Sequence, residues 1–126
     1  MREIGHHDGE ALTLNALGDT LHQCGNLARA REVYETGLRL SEERGLRARQ
    51  EIFRLSLGHL LIDMGQHATA RELLERAVGD AQRSGQFHVE MYGQLRLARV
   101  DREEGHLASS LGRVREVFQR ARSRGF

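Results

Sequence analysis

Seven histidines, a single cysteine and nineteen basic residues that are all arginine carry most of the chemistry this 126-residue chain offers. Histidines invite a metal reading, but a site needs about three or four convergent ligands. Neither His-Glu-x-x-His nor Cys-x-x-Cys occurs, and His6-His7 stands near the start. The spacing therefore supports no metal and no cofactor. Cys24 is alone and has no internal disulfide partner, which suits a reducing, cytoplasmic setting. It is expected to be a buried, inert thiol, because reactivity requires exposure and a lowered pKa. The absence of lysine removes the P-loop lysine, the Schiff-base lysine and the kinase strand lysine together. No nucleophile–base pair or carboxylate pair stands out, and Asp101, Glu103 and Glu104 read as a solvated helix end. No catalytic residue is assigned, and the chain is not expected to be an enzyme.

The net charge of +1 argues against a nucleic-acid binder held by phosphate attraction. Four Phe, two Tyr and no Trp are too few to interleave with the arginines as base-stacking platforms. The basic strip Arg113, Arg115, Arg120, Arg122 and Arg124 lies where a helix C-terminus favours cations anyway. The charge is nonetheless uneven: residues 1–45 carry −3, residues 46–85 carry +1 and residues 86–126 carry +3. Solvated helix faces account for this, and so do complementary ends that stack head to tail into a homo-oligomer. Leu60-Leu61-Ile62 is flanked by His59 and Asp63, so no apolar run approaches the ~18 residues of a membrane helix. Met1 to Glu10 lacks the apolar stretch of a secretory signal.

The elements that must position these side chains follow from a strict repeat. Gly25, Gly65 and Gly105 open equivalent segments 40 residues apart, as do Gly45, Gly85 and Gly125. Gly18, Gly58 and Ala98 follow the same step, as do Leu17, Leu57 and Leu97, without any insertion. The repeats are placed at about 6–45, 46–85 and 86–125 of one domain, 1–126. Each holds two amphipathic helices. First helices are expected near 9–24, 47–64 and 87–104, and second helices near 27–44, 67–84 and 107–124. Asn26 and Gln66 stand where N-caps are wanted. Gly18 and Gly58 lie inside helices, where each costs ~1 kcal/mol against alanine, which suggests close helix contact. Arg2-Glu3-Ile4-Gly5 matches Glu42-Glu43-Arg44-Gly45. On that match the chain opens with the tail of a missing second helix, as a piece of a longer array or a chain that completes its ends by self-association.

Three motifs carry a family resemblance: Leu14-x2-Leu17-Gly18-x2-Leu21 with Ala30-x3-Tyr34, Arg54-x2-Leu57-Gly58-x2-Leu61 with Ala70-x3-Leu74, and a worn Gln94-x2-Leu97-Ala98-x2-Asp101 with Ser110-x3-Val114. They resemble the tetratricopeptide repeat, which has a large apolar residue, Leu-Gly and an aromatic in its first helix and Ala-x3-Phe in its second. The usual repeat has about 34 residues. The 40-residue form here is similar to the arrays of kinesin light chain, of LGN/Pins polarity adaptors and of MalT-like and AfsR/SARP-like bacterial regulators. HEAT repeats fit the period, but the Leu-Gly and Ala-x3-aromatic positions favour the tetratricopeptide pattern.

The resemblance implies an all-α, right-handed superhelical solenoid of three helix-turn-helix hairpins, with first helices lining a concave groove. Its groove positions fall on Leu12, Asn15, Asp19, His22 and Gln23 in the first hairpin. In the second they fall on Ile52, Leu55, His59, Ile62 and Asp63, and in the third on Tyr92, Leu95, Arg99, Arg102 and Glu103. An apolar band thus runs beside a polar one, as an amphipathic peptide would require. Arg99 and Arg102 could clamp a ligand carboxylate. The implied function is an adaptor or sensor module that binds a protein or peptide, of the kind found in bacterial signal-transduction or transcription regulators. A self-assembling structural repeat and a small-molecule sensor groove are the alternatives.

Overall fold

The computed structural model describes residues 2–125, with side chains from residue 9 onward. The side chains of His6 and His7 lie outside the described residues, as does Phe126. Six helices follow in order: α1 (Arg2–Gln23), α2 (Leu27–Glu43), α3 (Arg47–Asp63), α4 (His67–Ser84), α5 (Phe87–Glu103) and α6 (Leu107–Ser123). There is no strand among the described residues. Each helix packs on the next, and α3 also touches α1 and α5. The product is an all-α solenoid in which α1, α3 and α5 form one layer and α2, α4 and α6 the other.

A single turn design is used five times. Gly25, Gly45, Gly65, Gly85 and Gly105 all have φ between 65° and 84°, the left-handed region that costs other residues about 1–2 kcal/mol. The following N–H reaches back five residues: Asn26 to the Leu21 carbonyl (2.9 Å), Gln66 to Leu61 (2.8 Å) and His106 to Asp101 (2.7 Å). This is the Schellman closure. Asn26 and Gln66 do occupy N-cap positions, but neither side chain makes a cap bond. Their ψ angles of 71° and 68° depart from the extended backbone that aims a capping side chain at the first turn.

Helix α1 starts at Arg2, not near residue 9, and runs through Gly5. Gly5 is therefore no turn, and the match with Gly45 fails structurally. A helix satisfies the carbonyl groups of this segment internally, which a turn would leave to solvent. Cys24 is exposed in the turn after α1, contrary to the expected burial.

The interior glycines act through close approach. A Cβ on Gly58 would lie 2.7 Å from Leu74, and one on Gly18 would overlap the Tyr34 ring. Between hairpins the arrangement reverses. At the first junction the Phe53 ring of α3 presses onto Gly37 of α2, while at the second Val78 of α4 presses onto Gly93 of α5. Tyr34, Phe53, Leu60, Leu74, Leu97 and Val100 are essentially buried along this seam.

Charged groups are buried with it. Arg54, 3% exposed, donates to Glu51 (2.7 Å) and Asp80 (2.9 Å). Asp101 accepts from Arg71 (2.7 Å) and Arg113 (2.8 Å), and Glu90 accepts from Arg120. Helix α6 differs from its counterparts: Val114 and Phe118 are 43% and 63% exposed, whereas Leu74 and Val78 at the same repeat positions are buried.

Candidate functional site

Because α3 touches both α1 and α5, side chains from all three first helices converge on one polar cavity of about 470 Å³. Five of the expected groove residues line it: Asp19, His22 and Gln23 from α1, and His59 and Asp63 from α3. Three more lining residues were not anticipated, namely Tyr34, Ser56 and Arg96.

The cavity is internally wired. Asp63 accepts from His22 Nε2 at 2.6 Å through Oδ2 and from Arg99 Nη2 at 2.6 Å through Oδ1. Arg99 Nε donates to Glu103 at 2.6 Å. Tyr34 donates its hydroxyl proton to Asp19 at 2.5 Å, and Ser56 donates to Asn15 at 3.3 Å. The rings of His22 and His59 meet edge to face with centroids 4.8 Å apart.

This wiring sets the charges. Burial works against ionised Asp63, but the hydrogen bonds from His22 and Arg99 hold its carboxyl below the usual range. Burial, aided by the nearby Arg96 charge, pulls His59 down to about 4, so its ring is neutral near pH 7. Burial and the Asp19 carboxylate push the Tyr34 phenol above its ordinary value. Arg96 is the exception to all this pairing. Its Nε is buried without a hydrogen-bond partner, and among the described residues no carboxylate pairs with it. Burial first, then repulsion from Arg99, lowers its pKa.

The remaining expected positions divide. Leu12, Tyr92 and Leu95 are exposed at 47%, 57% and 41%, and Ile52 is half-buried. Tyr92 and Leu95 border a shallow apolar dish with Phe87, Met91 and Val117. Ile62 and Leu55 require correction: at 2% and 9% exposed they belong to the core and cannot touch a groove ligand. Helix α3 is packed on α1, α2, α4 and α5, so positions open on an outer helix are closed on it. The clamp of Arg99 with Arg102 also needs correction. Arg99 already spends its Nε and Nη2 donors on Glu103 and Asp63, leaving exposed Arg102 alone. Arg96 escaped notice because its repeat counterparts are the small residues Ala16 and Ser56, and the carried-over groove pattern does not include that position.

Two stretches of the chain match family models, residues 11–44 and residues 52–76, and both models are described as tetratricopeptide repeat. The α5–α6 hairpin lies beyond the matched residues. No curated protein matches the chain.

Proposed function

Since the chain carries an array of tetratricopeptide repeats, we propose that it is a non-catalytic adaptor or sensor module that binds a protein or peptide along its first helices. In this reading the repeats are about 6–45, 46–85 and 86–125, and the polar cavity receives an acidic group of the ligand. The observation that carries it is Arg96, a guanidinium lining a cavity shared by α1, α3 and α5 with no carboxylate of its own. An arginine already stripped of water gains a charge-assisted pair without paying that desolvation again. Exposed Tyr92 and Leu95 beside it supply apolar anchorage. The 40-residue period supports a place in a cytoplasmic bacterial signal-transduction or transcription regulator.

Random peptides displayed with free C-termini and selected on the immobilised protein test this. The selected set should share an acidic residue or a terminal carboxylate. Arg96→Met should weaken each selected peptide about tenfold or more, since tenfold is about 1.4 kcal/mol. The variant should remain as stable as the parent, because it removes a desolvated and unpaired cation. Unchanged peptide affinity in a folded Arg96→Met variant rejects the reading.

A second reading is favoured by α6. Leu107, Leu111, Val114 and Phe118 are 43–65% exposed along one face, and residues 86–126 carry +3 against −3 for residues 1–45. That face would seat on α1 of another copy, where Leu12 and Leu17 are exposed. Association should then rise at low salt and vanish in Phe118→Glu. A parent protein that stays monomeric by sedimentation at high concentration and low salt excludes it.

A further inference from the structure

We propose that His22, His59 and Asp63 form a binding site for one first-row divalent cation at the junction of α1 and α3. The proposal goes beyond the peptide groove and does not rest on it. The sequence puts His22 and His59 on neighbouring first helices, and the packing adds Asp63 to make three convergent donors. One donor atom from each of the three residues lies within 4.8 Å of the others. Asp63 Oδ2 is the point of convergence, 2.6 Å from His22 Nε2 and 3.9 Å from His59 Nε2.

Bonds of about 2.0–2.2 Å in tetrahedral geometry place donors roughly 3.3–3.5 Å apart. The two separations to Asp63 Oδ2 bracket that range. The framework for them is firm. His59 and Asp63 stand four residues apart on α3 and so share one helix face. The His22 side chain, 12% exposed, reaches them from α1. The carboxylate is oriented from behind, because Arg99 Nη2 holds Asp63 Oδ1 at 2.6 Å and Arg99 is itself held by Glu103 at 2.6 Å. Outer hydrogen bonds of this kind commonly fix metal-binding carboxylates.

Asp63 supplies the negative charge for the cation, and behind it Glu103 balances Arg99. Two imidazoles and a carboxylate suit zinc, cobalt or nickel better than calcium or magnesium. On binding, the proton on His22 Nε2 moves to Nδ1, and the freed Nε2 lone pair replaces the hydrogen bond to Asp63 with a metal bond. A fourth coordination position would face the open cavity, where water or a ligand donor would complete the shell. The other candidate group, Asp101, Glu104 and His106, is less suited. Both Asp101 oxygens and the Glu104 carboxylate are already held by Arg71 and Arg113.

The test titrates chelator-treated protein with zinc ion alone, followed by calorimetry and by nitrogen–proton spectra of the histidine rings. One equivalent should bind, and the ring signals of His22 and His59 should shift together. His22→Ala and His59→Ala should each weaken zinc at least about tenfold, while His106→Ala and the paired His6→Ala, His7→Ala change should leave it unaltered. The ring spectra of the unsubstituted protein keep the test decisive even where a variant misfolds. Absence of binding, or saturation that shifts other rings and spares His22 and His59, overturns the assignment. So does a sulfur charge-transfer band on cobalt substitution, which would put Cys24 in the shell.

Discussion

Gly37→Ala is expected to destabilise the protein by roughly 2–3 kcal/mol, the upper part of the usual range for overpacking. Helix propensity alone predicts the opposite sign, a gain of about 1 kcal/mol from removing an interior glycine. The added methyl decides the matter because it would fall inside the Phe53 ring, which is fully buried and has nowhere to turn. Two controls isolate the cause. Gly112 lies in α6 with nothing near the site of its missing Cβ, so Gly112→Ala should stabilise by up to about 1 kcal/mol. Phe53→Leu should be costly alone yet relieve Gly37→Ala, giving a coupling energy above about 1 kcal/mol in a double-mutant cycle. Denaturant melts of the four proteins read all of this. Additive effects would mean that the Phe53–Gly37 contact is not what seals the first junction.

Arg54→Met should cost about 3–5 kcal/mol at pH 8, the penalty for stranding the buried Glu51 carboxylate. Arg54 replaces the apolar residue expected at its repeat position and is 3% exposed, with Glu51 only 4% exposed beside it. Burial pushes Glu51 up to about 7 despite the Arg54 charge, and the nearby Asp80 carboxylate adds to the rise. The folded-state value thus exceeds the ordinary one near 4.5. The stability it contributes is full below 4.5 and is lost as the pH rises through about 7. Glu51→Gln should therefore flatten the pH profile between 5 and 8 and be the more stable form at pH 8, by something on the order of 1–3 kcal/mol. The penalty of Arg54→Met should shrink at pH 5, where Glu51 is neutral. A penalty that does not change with pH would show that Glu51 is ionised throughout.

The helices were legible because glycine and apolar spacing are local signals. Five of the six helices begin and end within a residue or so of the limits that the 40-residue period implies. The start of α1 was not, since Gly5 matches Gly45 in sequence, yet Gly5 lies inside α1 and Gly45 takes the left-handed turn after α2. The cavity was half legible. Repeat positions brought Asp19, His22, Gln23, His59 and Asp63 to one place. They did not reveal that Ile62 and Leu55 are closed off, because enclosure depends on how many helices surround α3 and not on any residue type. Nor did they reveal that Arg99 is committed to Asp63, a pairing across 36 residues that only the packing of α5 on α3 creates.

The reversal of bulk between the two junctions has a consequence for how such a chain could be rebuilt. Copying the second hairpin after itself would drive Phe53 against Val78, a collision of two protrusions. Deleting it would instead set Gly93 against α2, where Leu38 stands at the Val78 position and offers similar bulk. The hairpins, though cut to one length, are thus keyed: the second cannot follow itself, while the first and third still meet bulk to notch. Phe118 stands at the Val78 position and extends the same key outward. Whatever caps α6 should bring a notch of glycine size to receive it.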